Sequence, residues 1–155
     1  MRMVSIFAIL AVTFFCGCVS QKDLQTQFLK VSDDYYGRYC HAKSREDAIS
    51  ELKDYLAAVD TIQKPQATKV LYSRGRSFAE TRLSLIYEQL GDSKNTRIFM
   101  DQALRDIQQD PQFDKSLNYD KDAQEASLKR MVVKIDALNS IDWQNTANHD
   151  VLSPH

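Results

Sequence analysis

A chain of 155 residues and 17.8 kDa is long enough for one core and short for two, and 43% hydrophobic with 26% charged residues is an ordinary globular composition, outside the disordered, collagenous and polytopic membrane classes. With 20 basic and 21 acidic residues the net charge is -1, so no whole-molecule field recruits nucleic acid through phosphate neutralisation. Four Gly and three Pro are too few for the frequent turns of a sandwich or barrel, which points to an all-α chain.

The N-terminus reads as an address. Arg2 precedes an uncharged run from Val4 to Phe15, the basic and apolar regions of a signal peptide, and that run is too short to cross roughly 30 Å of hydrocarbon as a helix. Gly17-Cys18 then resembles the lipobox of bacterial lipoprotein precursors, in which a small residue precedes the cysteine that is acylated and becomes the mature N-terminus. Phe15 and Cys16 depart from the family's usual Leu and small residue. The resemblance implies cleavage after residue 17, lipidation at Cys18, a short tether over residues 18–23 and attachment to the membrane through the lipid. Two or more acyl chains hold stably where one does not. Val19 stands where an inner-membrane retention Asp would be, which implies the outer membrane, facing the periplasm, in a Gram-negative host. Loss of residues 1–17 removes Arg2 and moves the charge to about -2. Cys40 is then left alone in an oxidising compartment, and its place beside Tyr39 reads it as a buried apolar residue.

Five helical segments follow between residues 24 and 143. Leu24, Phe28, Val31, Tyr35 and Tyr39 recur in steps of three and four, predicting a first helix to about Cys40. Ser44 with Asp47 is a capping box for a second helix carrying Ala48, Ile49, Leu52, Tyr55, Leu56, Val59 and Ile62 and ended by Pro65. A third helix runs from about Ala67 to Leu90 and stops at Gly91, with Asp92 or Ser93 capping the fourth. The fourth buries Phe99, Met100, Ala103, Leu104 and Ile107 and ends before Pro111. Asp120 caps the fifth, whose apolar face is Leu128, Met131, Val132, Ile135 and Leu138, with Trp143 docking beyond it. Residues 144–155 are polar and aperiodic and read as a flexible tail.

Within this series, Leu83, Ser84 and Tyr87, the Leu90-Gly91-Asp92 turn and Ala103-Leu104 resemble a tetratricopeptide repeat. In that family the small residue lets two helices approach, the Tyr fills the space between them and the Gly allows the reversal. Glu80, Thr96 and Met100 depart from the pattern. The first two helices repeat the plan loosely, and Ala48 and Thr96 lie 48 residues apart rather than about 34. The resemblance implies irregular helical hairpins plus a capping fifth helix over about residues 29–140; a plain helical bundle is the alternative.

Chemistry-bearing motifs are sparse. Cys40-His41 has no paired ligands for zinc, no Gly-x-Ser-x-Gly elbow occurs, and Gly75 between Arg74 and Arg76 is no phosphate loop. The acidic pairs Asp33-Asp34 and Glu80/Glu88 read as solvated helix faces. No cofactor, metal or catalysis is expected. Helix three, however, is apolar on two sides, one with Ala79, Leu83, Tyr87 and Leu90, the other with Leu71, Phe78 and Leu85. Arg74 and Arg82 bracket the second side. It is either core, covered by helix one or five, or the concave groove of the resembled family, with Leu71, Arg74, Phe78, Arg82 and Leu85 binding a peptide. In the groove reading the two arginines are solvated rim anchors whose joint replacement leaves the melting curve unchanged. The leading functional expectation is an envelope lipoprotein acting as a protein- or peptide-interaction scaffold. An inhibitory or immunity-type lipoprotein, and an envelope enzyme using His41, are the alternatives.

Overall fold

The computed structural model describes residues 21–62, 69–110, 113, 120–139 and 141. The signal region, Cys18, Pro65, Pro111, Trp143 and the tail lie outside them. The chain is all-α, with α1 Gln21–Cys40, α2 Arg45–Thr61, α3 Lys69–Gln89, α4 Ser93–Ile107 and α5 Lys121–Leu138. No helix among the described residues is long and apolar enough to cross a membrane.

The caps expected from sequence set the boundaries. Ser44 accepts from the Asp47 backbone N–H, Asp92 from Asn95, and Asp120 from both Asp122 and Ala123, each satisfying donors that the first turn of a helix leaves open. Gly91 has φ +72°. Its N–H donates to the Glu88 carbonyl and that of Asp92 to Tyr87, the paired bonds that close a helix at a left-handed residue. Helix α1 begins at Gln21, earlier than its apolar stripe, so the helix already includes residues 21–23. Lys22 and Asp23 are exposed in that first turn, where the Asp23 charge is favourable at the positive end of the helix dipole.

Short connections fold α2 onto α1 and α4 onto α3, and α3 also packs on α2 and α5. Helix α3 is therefore enclosed. Ala79, Glu80, Thr81, Arg82, Leu83 and Ser84 are buried without a break, more than one full turn, so every face of this stretch meets another helix. The main core joins Leu24, Phe28 and Tyr39 of α1, Leu52, Tyr55 and Val59 of α2 and Ala79, Leu83 and Ile86 of α3. A second core joins Met100, Leu104 and Ile107 of α4 to Leu128 of α5, with Phe78 reaching it from α3. Cys40 is buried, as its stripe implied. Leu138 and Leu90, expected to be buried, are 78% and 44% exposed. Leu138 is the last residue of α5 and Leu90 the first after α3, so both stand at helix ends.

Small hydroxyl residues allow the crowding around α3. Ser73 and Thr81 return their hydroxyls to the carbonyls four residues back, and Ser84 donates across to the Thr96 carbonyl of α4 at 2.9 Å. Beyond it Tyr87 and Phe99 stack with ring centroids 5.6 Å apart. A methyl group on Gly91 would touch nothing within 4 Å, so Gly91→Ala tests backbone conformation alone. It should lower stability by about 1 kcal/mol in urea unfolding, from forcing Ala into the left-handed region.

Candidate functional site

Bulky aromatic rings on α1 and α2 stand against α3 only because α3 gives way at one residue. Gly75 lies inside the helix, where glycine is destabilising by up to about 1 kcal/mol relative to Ala. A Cβ there would overlap the Tyr55 hydroxyl and lie 2.9 Å from Phe28 Cζ. Beside this close approach is a cavity of about 290 Å³. Phe28, Ser32, Asp33, Tyr35 and Tyr36 of α1 form one wall, and Leu52 and Tyr55 of α2 another. Leu71, Arg74, Gly75, Phe78, Ala79 and Arg82 of α3 and Ile135 of α5 complete it. The lining is aromatic and aliphatic with few polar atoms. Tyr55 and Ser32 share a hydroxyl hydrogen bond at 3.2 Å, and Arg38 lies 3.9 Å above the Tyr35 ring, fixing three of the wall residues.

Four of the five residues expected in a groove thus meet at one cavity: Leu71, Arg74, Phe78 and Arg82. Leu85 is half-buried and is not among the lining residues. The arginines differ from expectation. Arg82 is only 6% exposed, and its Nε and Nη2 grip the Asp136 carboxylate of α5 at 2.6 to 3.1 Å. Tyr39 donates to the same carboxylate at 2.9 Å and Tyr36 at 3.3 Å. Burial opposes the Arg82 charge, but Asp136 outweighs it and holds the guanidinium above its usual range. Burial, joined by the Asp136 charge, likewise pushes the Tyr39 phenol well up, so it stays a donor. Arg74, half-exposed, donates from Nε at 2.7 Å and from Nη2 to Asp110, itself buried beyond the end of α4. Neither arginine is a free rim cation, because each neutralises an acid that the fold has taken out of water.

Arg76 turns to the opposite side and holds three acidic side chains: Asp106 of α4 at 2.8 Å, Asp60 of α2 at 2.6 Å and Glu80 one turn on at 3.1 Å. Glu80, read from sequence as a solvated acid, is 1% exposed, and its Oε2 has no hydrogen-bond partner among the described residues. Burial first, and then the neighbouring Asp106 charge, push the Glu80 carboxyl up to about 8. The three α3 arginines share no helical stripe: Arg82 pairs with α5, Arg76 with α2 and α4, and Arg74 with the turn that follows α4.

Sequence reasoning missed Asp136, Glu80, Gly75 and the aromatic wall. One signal was present for Asp136: it continues the four-residue spacing of Leu128 and Val132, so an acid stands in an apolar stripe. Gly75 left no comparable trace, since only the approach of Phe28 and Tyr55 from other helices explains it. His41 is exposed in the turn after α1, away from the cavity lining. Among the described residues no group of three or more His, Cys, Asp or Glu side chains is placed to hold a metal ion.

Comparison of the chain with protein-family models, curated proteins and solved structures finds no match.

The buried charges have measurable consequences. Asp136→Asn keeps the shape but leaves Arg82 buried and uncompensated, and should lower unfolding free energy by about 3 to 5 kcal/mol in urea. The Arg74→Ala, Arg82→Ala double variant should likewise melt far below the parent. For Glu80, the folded carboxyl keeps its proton to about pH 8 and the unfolded one releases it near its ordinary 4.5. Stability tied to this group is therefore greatest below pH 4.5, declines as pH rises and reaches its floor above about 8. Thermal melts from about pH 5 to 9 should show the parent losing stability relative to Glu80→Gln across that window; parallel curves would contradict the assignment.

Proposed function

We propose that the protein is a lipid-anchored envelope lipoprotein whose helical hairpins form a protein- or peptide-interaction scaffold, with the cavity between α1, α2, α3 and α5 as its binding pocket. The observation that carries this reading is that cavity: about 290 Å³, mostly apolar, walled by residues from four helices and containing Leu71, Arg74, Phe78 and Arg82. Binding sites of this kind are concave and mostly apolar, with a few placed polar groups. The tetratricopeptide-like reading of α3 and α4 draws support from the Ser84 hydroxyl on the Thr96 carbonyl, the Tyr87–Phe99 stack and the left-handed Gly91 at the turn. The lipobox-like Gly17-Cys18 supplies the anchor, and with it the expected place at the envelope, the outer membrane if the host is Gram-negative. The reading involves no catalysis.

Two measurements test it. A Cys18→Ala chain should lose incorporation of labelled fatty acid; continued labelling would move the anchor elsewhere. A photo-crosslinking residue at position 71 of the full chain in cells should give a discrete adduct with one envelope protein, identified by mass spectrometry. The same residue at exposed Lys94 on α4 should not. Equal adducts at both positions, or none at 71, would place binding on another surface.

A further inference from the structure

We infer that the cavity is covered by the chain's own C-terminal segment, with the indole of Trp143 seated in its mouth, so that a partner gains this face by displacing the ring. The displacement rests on the reading of the cavity as a binding site; the docking does not. Trp143 lies outside the described residues, and its place follows from where the described chain ends. Ile135 of α5 lines the cavity. One turn on, the Asn139 side-chain amide donates at 3.1 Å to the hydroxyl of Tyr36, another lining residue. Ile141 is then 2% exposed within the main core, which includes the lining residues Phe28, Leu52 and Tyr55. The chain therefore does not leave the domain at the end of α5. Trp143 is two residues further, at most about 7 Å of extended chain beyond Ile141 and about 14 Å beyond Asn139.

The cavity calls for a cover of this chemistry. It opens to solvent, and Tyr35, Tyr36, Leu71, Phe78 and Ile135 are only half-buried in its lining. Apolar surface left to water favours whatever apolar group can reach it. Residues 142–155 contain three large apolar side chains, Trp143, Val151 and Leu152, of which Trp143 is both the largest and the nearest. An indole also suits an open site, because its ring covers apolar wall while its N–H keeps a hydrogen bond at the wet edge. Exposed Asp33 offers an acceptor there, and half-exposed Arg74 a cation for the ring face.

Reach decides between this occupant and a separate one. A group held on a short tether meets its site at an effective concentration on the order of millimolar, and a free ligand of similar chemistry must be supplied at that level to compete.

Trp143 is the chain's only tryptophan, so its emission from the unmodified full chain in detergent, excited where tyrosine does not absorb, reports this ring alone. Emission should lie to the blue of that in urea, and acrylamide should quench it about threefold less than in the unfolded chain. A photo-crosslinking residue at position 33, exposed and therefore tolerant of change, should link within the chain to residues 142–145, as read by peptide mass spectrometry; the same residue at exposed position 94 should not. Trp143→Ala should raise the yield of the position-71 partner adduct in cells several-fold, because the tethered ring no longer competes. Emission and quenching like those of the unfolded chain would overturn the inference without any variant. A shielded ring with no link from position 33, an equal link from position 94, or an adduct yield unchanged by Trp143→Ala would also overturn it. A shielded, linked ring with no partner adduct even from Trp143→Ala would remove the scaffold reading and leave the docking; a partner adduct with Trp143 exposed and unlinked would do the reverse.

Discussion

A guanidinium taken out of water at the centre of the helices constrains everything around it. Arg82 is tolerable there because Asp136 meets it on two nitrogens and because Tyr36 and Tyr39 occupy the remaining carboxylate lone pairs. One pair therefore ties α3 to α5, and the two phenols tie α1 to both. Replacing such a pair with apolar residues can be neutral, but removing one partner is not. Its contribution is accordingly better understood as placement than as net stabilisation: it sets where α5 lies against α1 and α3, and so sets the back wall of the cavity.

The cavity persists for reasons on all its sides. Close packing would normally eliminate 290 Å³ of space in a small domain. Here Gly75 lets Phe28 and Tyr55 seat against the α3 backbone, where their rings cannot swing inward without meeting it. The Ser32–Tyr55 hydrogen bond and the Arg38–Tyr35 contact hold two more wall positions. Arg82, drawn toward Asp136, cannot relax into the space. On the other side of α3, Arg76 gathers Asp60, Glu80 and Asp106, so opposite faces of one helix are pinned by charge to different neighbours. A protonated Glu80 lowers the charge that this cluster buries, which is why its stability depends on pH in the direction opposite to that of an ordinary salt-bridged acid.

Local chemistry determined the elements. Three- and four-residue apolar spacing, the Ser44, Asp92 and Asp120 caps and the Gly91 stop act within a few residues, and the helices lie where those signals put them. The two-sided apolarity of α3 was legible for the same reason, as was the burial of Cys40 and the grouping of Leu71, Phe78, Arg74 and Arg82 on one side. What only the tertiary structure decided is which charged residues leave water. Arg82 and Glu80 look like solvated positions along the chain, but Asp136, which pairs with Arg82, stands on α5, and Asp106, whose charge raises the Glu80 carboxyl, stands on α4. Whether an arginine is a rim cation or a buried anchor depends on what another helix brings to it, and a helical projection contains no information about that neighbour. Gly75 is the same case in steric form, since its need for glycine comes from rings on two other helices.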